Sequence, residues 1–395
     1  MKILSIETSC DETALSIVEA SGGSTKPKFK ILANNVASQV KLHAKYGGVF
    51  PMMAKREHSK NLVPLFIKTL EEARLAKKST TAFSQKQVTD LELMLDREPE
   101  LKKIFLKTIY KIKKPNIDLI AVTTGPGLEP TLWVGINFAR ALATLWGIPV
   151  IGVNHMEGHI FSVFPKSNKE TFTIDTKLFP SISLLVSGGH TELVYIKNWL
   201  HYDIIGQTRD DAVGEAFDKV ARLLGLPYPG GPMISRLAKE ARDKKIVSTF
   251  TFPRPMIHSK DYDFSFSGLK TAVLYFIQGH SSNPNGRKKI IIPLKLKREI
   301  ARAFEDAAVH VLVSKTLRAI QTYKAKSLIV GGGVAANQEI RKVLSELSPV
   351  PIYFPTRELS TDNSLMIAIA GYMQWQKKKK GVQLNTLIAN GNLTL

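Results

Sequence analysis

One supersecondary arrangement occurs twice along this chain, and it constrains the fold more than any single motif. Lys2 to Glu19 reads as an apolar strand (KILSIE), a polar turn (TSCDET) and a second strand (ALSIVE). Ser181 to Lys197 repeats the unit as SISLLV, SGGHT and ELVYIK. Short apolar runs broken by small hydroxylated residues are the mark of a β-hairpin. Later in each half a strand enters a glycine loop and then a helix. In the first half DLIAVTTGPG (Asp118 to Gly127) precedes LWVGINFARALATLW; in the second, SLIVGGGVAAN (Ser327 to Asn337) precedes QEIRKVLSEL. A repeat on this scale predicts two related α/β domains, here 1–165 and 166–395. They are expected to face each other across a cleft, with ligands held where strands end and helices begin.

A length of 395 residues exceeds one ordinary core, and a 44% hydrophobic content is enough to bury two. Phe164 to Pro180 is polar and suits the crossing between the halves. Ala76 to Pro115 is charged and amphipathic, which predicts an inserted helical hairpin. Gly279 to Lys289 is turn-rich and predicts a surface loop, while Val382 to Leu395 has no periodicity. No apolar run of ~18 residues is present, so no membrane partner is expected. Glu7 and Asp11 arrive too early for the apolar part of a signal peptide, and a lone Cys10 cannot staple the fold. A cytoplasmic location is the expectation. Lys plus Arg number 55 against 34 Asp plus Glu, a surplus of 21 that favours a polyanionic partner such as nucleic acid. Part of that surplus lies in runs such as Lys102 to Lys114 and Lys377 to Lys380, which also read as solvated helix faces.

His155 and His159, in NHMEGH after the apolar strand PVIGV, stand four residues apart. That spacing puts both imidazoles on one helical face, as two ligands of one cation must be. In the protease motif HExxH the Glu lies ~100° around the helix from the first His, whereas Glu157 lies ~200° around and cannot serve as that base. Asp362, in STDN before the apolar helix SLMIAIAGY, has the position of an N-cap. Three glycine turns, Ser187-Gly188-Gly189, Gly230-Gly231 and Gly331-Gly332-Gly333, offer main-chain amides to an anion, and Asn337 opens a helix after the last. Neither GxxxxGK[ST] nor GxGxxG occurs. Asp218, inside the amphipathic DDAVGEAFDKVARLL, is either a solvated carboxylate or an acceptor for ribose hydroxyls. Asp11 and Glu12, at the first hairpin tip, are candidates for a base or an orienting group.

These residues resemble, over nearly the whole chain, the tRNA N6-adenosine threonylcarbamoyltransferase family of the bacterial type, once labelled O-sialoglycoprotein endopeptidase. The matching stretches include IETSCDET, SQVKLHAKYGGVFP, GPGL, NHMEGH, LLVSGGHTEL, DDAVGEAFDK, YPGGP, FPRPM, DFSFSGLKT, AFEDA, GGGVAAN and STDN, in family order. The resemblance implies an actin- and sugar-kinase-like pair of domains. It implies iron (Fe2+), with zinc as the second choice, held by His155, His159 and Asp362. It further implies threonylcarbamoyl-adenylate lying across Leu185, Val186, Ser187, Gly188, Gly189, Asp218, Gly231 and Asn337. The acceptor would be the adenosine next to the anticodon, in tRNAs reading codons that begin with A, with release of AMP. Family members commonly work with a paralogous subunit that heterodimerises and a small ATPase. The chain departs from the bacterial pattern at Asn154, where many members have His, in the longer Lys-rich segment near 76–114, and in lacking an Arg-Pro-Arg-Trp ending. A small-molecule kinase or ATPase of the same fold is the alternative; it would need neither the histidine pair nor the basic surplus.

Overall fold

The computed structural model describes residues 1–79, 83–166, 169–246, 248–279 and 292–395, and they form two compact units. The first comprises Met1–Lys177 and Thr361–Leu395, the second Leu178–Ser360.

In the first unit β1 (Lys2–Glu7), β2 (Glu12–Ser21) and β3 (Lys28–Ser38) pair antiparallel in sequence. Helices α1 (Val40–Ala44), α2 (Pro51–Glu72), α3 (Gln85–Met94) and α4 (Pro99–Thr108) lead to β4 (Leu119–Gly125), which lies parallel to β1. Helix α5 (Glu129–Trp146) returns the chain to β5 (Val150–Asn154), parallel to β4, and α6 (His155–Phe161) follows without a break. β6 (Thr171–Thr173) extends the far edge, so the strand order is β5-β4-β1-β2-β3-β6. Leu4, Ile6, Leu15 and Ile17 share one core with Phe66 of α2 and Phe138 of α5. The segment Ala76 to Pro115 contains α3 and α4, whose Leu91, Leu101 and Phe105 are buried in that same core.

The second unit repeats the plan. β7 (Ser181–Val186), β8 (Thr191–Asn198) and β9 (His201–Gln207) pair antiparallel. After α7 (Val213–Leu223), α8 (Gly230–Asp243), α9 (Ser267–Gly279) and α10 (Leu294–Thr322), β10 (Ser327–Gly331) lies parallel to β7. Helix α11 (Gln338–Leu347) and β11 (Ile352–Tyr353) complete the order β11-β10-β7-β8-β9. Its first three strands and two parallel returns match those of the first sheet. The molecule is thus mixed α/β with two sheets of one design.

The last helix, α12 (Ser364–Lys378), corrects the expected division at residue 165/166. It packs on β1, β2, β4 and β5, so 361–395 joins the first unit, as do residues up to 177. Its middle is buried all round, and a helix without a polar face gives no periodic signal of which sheet it will cover. Ser364 Oγ lies 2.5 Å from Ser16 Oγ, and a Cβ on Gly371 would lie 2.6 Å from Ala121 Cβ, so helix and sheet are in close contact. The loop expected at Gly279 to Lys289 lies, from residue 280 onward, outside the described residues. Among the described residues no helix is long and apolar enough to cross a membrane.

Candidate metal centre

Helix α6 begins where β5 ends, at the carboxyl end of a parallel strand. Asn154 caps it, its side-chain oxygen accepting from Met156 N at 2.8 Å and Glu157 N at 3.3 Å. All seven residues of α6 are buried. The i, i+4 spacing stacks the His155 and His159 rings edge to face with centroids 4.6 Å apart. Asp362 supplies the third group, and its Oδ1 lies 3.3 Å from His155 Nε2 and 3.3 Å from His159 Nε2. The N-cap reading of Asp362 is overturned, because Asn363 caps α12 by accepting from Met366 N at 3.1 Å. Asp362, one residue earlier, is left free to face the imidazoles. All three residues belong to the first unit.

His155 is anchored from behind. Its Nδ1 lies 2.9 Å from Glu7 Oε2 and 3.2 Å from Ser9 Oγ. Glu7 is fully buried; it accepts from Thr123 Oγ1 at 2.7 Å and from Ser9 N at 2.5 Å. Burial opposes charge on His155, but Asp362 and Glu7 outweigh it and push the imidazole well above its ordinary range. Burial likewise opposes ionisation of Glu7 and Asp362, and the His155 charge overrides it, holding both carboxyls below theirs. His159 behaves differently. Burial lowers its basicity; its enclosed Nδ1 has no hydrogen-bond partner among the described residues, and its Nε2 has only the Asp362 carboxylate beside it, at 3.3 Å. An enclosed polar atom without a partner is costly.

A divalent cation fits this set. Nitrogen and oxygen ligands each ~2.0–2.1 Å from one tetrahedral ion stand roughly 3.3 Å apart. That is the separation found for both imidazole–carboxylate pairs. The three ligating atoms lie within 4.8 Å of one another, and a cation would satisfy the Nε2 of His159. Glu157 is turned elsewhere, accepting from Gln374 Nε2 of α12 at 2.6 Å.

The hairpin tip between β1 and β2 adds two carboxylates. Asp11 and Glu12 are buried, and Asp11 Oδ2 has no partner among the described residues. Glu12 accepts from Ser38 Oγ at 3.1 Å. Burial, then the charges of Asp362 and Asp11, push Glu12 well above the usual carboxylate range. The same influences raise the Cys10 thiol.

The remaining expected site residues sit in the second unit. Leu185 and Val186 end β7, and Ser187, Gly188 and Gly189 form the turn to β8. Gly332, the only glycine of the three expected turns with positive φ (+91), packs on Val186 O. Added Cβ atoms on Gly188, Gly189 and Gly333 would meet nothing within 4 Å, so these three leave open space beside the main chain. Asp218 is not the solvated carboxylate of the simpler reading. Its Oδ1 accepts from Gly230 N at 2.7 Å and Gly231 N at 3.3 Å, which pins the start of α8. Asn337 does open α11, accepting from Ile340 N at 2.9 Å. Its amide donates to Ser235 Oγ and Glu305 Oε1, both at 2.8 Å, and Glu305 is in turn paired with Arg242 at 2.6 Å.

Glu7, Ser9, Thr123 and Glu305 had no place in the site read from sequence. A carboxylate ending the otherwise apolar strand KILSIE was the available sign for Glu7. Glu305 lay in AFEDA, a stretch matched to the family without a role.

Comparison with known proteins identifies the family. The family model described as tRNA N6-adenosine threonylcarbamoyltransferase matches residues 30–84 and 99–369. The tRNA N6-adenosine threonylcarbamoyltransferase of Thermosipho africanus is 41% identical over the full length of both chains. That of Moorella thermoacetica is 40% identical over 95% of this chain and 92% of its own. Among solved structures, full-length HypF in its phosphate- and nucleotide-bound form shares the fold at 12% identity, with a TM-score of 0.50, covering 96% of this chain and 47% of its own. On the extent of these matches, the chain belongs to the tRNA N6-adenosine threonylcarbamoyltransferase family of transferases.

Proposed function

We propose that this chain forms t6A by moving a threonylcarbamoyl group from threonylcarbamoyl-adenylate to N6 of the adenosine next to the anticodon, in tRNAs reading codons that begin with A. Family membership carries the reaction class. The observation that carries the chemistry is the convergence of one ligand atom each from His155, His159 and Asp362, all within 4.8 Å of one another. In this reading the two units are actin- and sugar-kinase-like domains. The three residues hold iron, with zinc as the second choice, and the ion when bound polarises the carbamoyl carbonyl as a Lewis acid.

The chain's own residues do the rest. The open main chain at Ser187 to Gly189 holds the anionic part of the donor, with Leu185, Val186, Asp218, Gly231 and Asn337 shaping the bed beneath it. The N6 amine forms a bond to the carbamoyl carbon, the carbon–oxygen bond to the adenylate breaks, and AMP leaves with that electron pair. Asp11 takes the N6 proton. Its Oδ2 is unpartnered among the described residues, whereas Glu12 accepts from Ser38 Oγ and is pushed upward by burial and the neighbouring carboxylates. Lys and Arg in excess grip tRNA phosphates, so binding should weaken steeply with salt. A paralogous subunit, a small ATPase and a cytoplasmic setting complete the reading.

The test is reconstitution with the purified donor and a tRNA transcript, followed by mass analysis of nucleosides. The modified nucleoside should appear with the intact protein and vanish with chelator or with His159→Ala. Modification that persists through both treatments overturns the metal reading. ATP turnover on a small molecule with no change to tRNA favours a kinase.

A further inference from the structure

We propose that residues 387–395 act as a strap that sets the position of the His155–His159 helix and thereby tunes how tightly the site holds its cation. The inference rests on the metal reading above. It starts from a part of the chain whose sequence shows no pattern. Leu387 is buried in the core of the first unit, and its carbonyl accepts from Arg140 Nη2 at 2.6 Å. From that anchor the strap reaches both structures that hold His155.

The first is the cap of α6. The Asn154 side chain has two ends: its oxygen accepts from Met156 N and Glu157 N, and its nitrogen donates to Thr394 O at 2.9 Å. The strap therefore fixes the rotamer of the side chain that starts the ligand helix. The second is the glycine loop after β4. Asn390 N donates to Thr124 O at 2.8 Å, and Gly127 N donates to Gly391 O at 3.2 Å. Gly125, at φ +151, has no room for a Cβ because Asn390 O fills that place. Gly127 in turn presses on Ser9: a Cβ there would lie 2.7 Å from Ser9 O, and Leu128 N donates to the same oxygen at 2.8 Å. Ser9 Oγ is the atom 3.2 Å from His155 Nδ1. Two short paths thus run from the strap to the imidazole, one through Asn154 and one through Gly127 and Ser9.

Thr394 O, Asn390 N and Gly391 O are all main-chain atoms. That explains why the segment carries weight without a motif, since a strap held by its backbone places few demands on side chains. Gly391 is the exception, because a Cβ there would stand 2.9 Å from Gly127 O.

Three proteins test the proposal beside the intact chain: Asn154→Asp, Gly391→Val, and a chain shortened by residues 390–395. Asn154→Asp keeps a capping oxygen and replaces the N–H that reaches Thr394 O with an anionic oxygen that breaks that contact; the added negative charge by itself favours a cation, so weakened binding reports the lost strap. Each is titrated with Co2+, reading affinity by competition with a chelator and the visible spectrum at saturation. Thermal unfolding is followed without metal. Asn154→Asp and Gly391→Val should weaken Co2+ binding roughly 10-fold and alter the band shape, with little change in the unfolding midpoint. The shortened chain should lose more. A merely structural strap would shift the midpoint and leave affinity and spectrum alone. If protease digestion shows the strap released in the variants while Co2+ binding matches the intact chain, the proposal is overturned. An intact chain that binds no Co2+ overturns the metal reading itself, and the strap's role with it.

Discussion

In the first unit the hairpin β1–β2 and the helix after β5 present side chains: Glu7, Asp11, His155 and His159, joined by Asp362 from just before the last helix. In the second, the hairpin β7–β8 and the turn after β10 present main chain, with glycines at 188, 189 and 333 left open. The strand order is shared, yet one copy offers groups that must be particular residues and the other offers peptide amides and space. A duplicated scaffold can hold a cation with one copy and an anion with the other, because strand ends followed by helices suit both. The comparison breaks if substitutions in the second unit disturb the metal, or if those in the first spare it.

The largest effect belongs to the three proposed metal ligands, His155, His159 and Asp362. His159→Ala or Asp362→Ala should lower kcat/KM by about 1000-fold or more and abolish stoichiometric metal, since several kcal/mol of charge stabilisation leave with the ion. Metal content by atomic emission alongside single-turnover rates decides it, and normal metal in either variant would end the argument. These ligands were unequally legible. The histidine spacing announced a shared face by itself, because helical periodicity is local. Asp362 did not, because Asp before a helix is ordinarily its cap; only the fold shows that Asn363 takes that task. Glu7 was hidden by its small sequence separation from ordinary turn acids, although it is the fully buried member of the set. The second half's glycines were visible as turns, but which are packed and which open depends on contacts across strands. The paired strand orders were readable because hairpin and strand–loop–helix signals are local, whereas the return of α12 to the first sheet is not.

Two buried groups, one in each unit, titrate with opposite sign. His58, buried against Cys10 O and Thr13, has its pKa lowered by burial from 6.5 to about 4. The unfolded chain takes up that proton first, so this stabilisation is complete above pH 6.5 and is lost as pH falls toward 4. Glu192 in the second unit is pushed by burial from 4.5 to about 7, so its contribution is present below pH 4.5 and is lost as pH rises to 7. Each change is about 3 kcal/mol over its window. Denaturant unfolding of Glu192→Gln should therefore gain on the parent chain as pH rises from 4.5 to 7, while His58→Gln should gain as pH falls across its window. Parallel curves for parent and variant would contradict the assignment.

Glu7→Gln comes next in size. The amide keeps the shape but loses the charge that holds His155, which should weaken metal binding by about 10- to 100-fold. Competition with a chelator of known strength measures it, and donor affinity in the apo protein should stay unchanged. A drop in donor affinity of the same size would mean that the two binding surfaces are not independent.

The smallest effect gives the sharpest contrast. Gly189 and Gly332 stand in two different glycine turns of the second unit, the hairpin tip and the loop after β10, but only Gly332 has positive φ and only its Cβ would collide with a neighbour, Val186 O. Gly332→Ala should therefore destabilise the protein whatever its effect on activity. At Gly189 an added methyl meets nothing of the protein. Gly189→Ala should leave the unfolding midpoint and the metal content where they are. If donor phosphate lies against that turn, the methyl must stand in its way and raise the donor KM about 10-fold, roughly 1.4 kcal/mol of lost binding, with kcat little changed. An unchanged KM would move the donor away from this turn, and the open space beside Gly188 and Gly189 would then need another occupant.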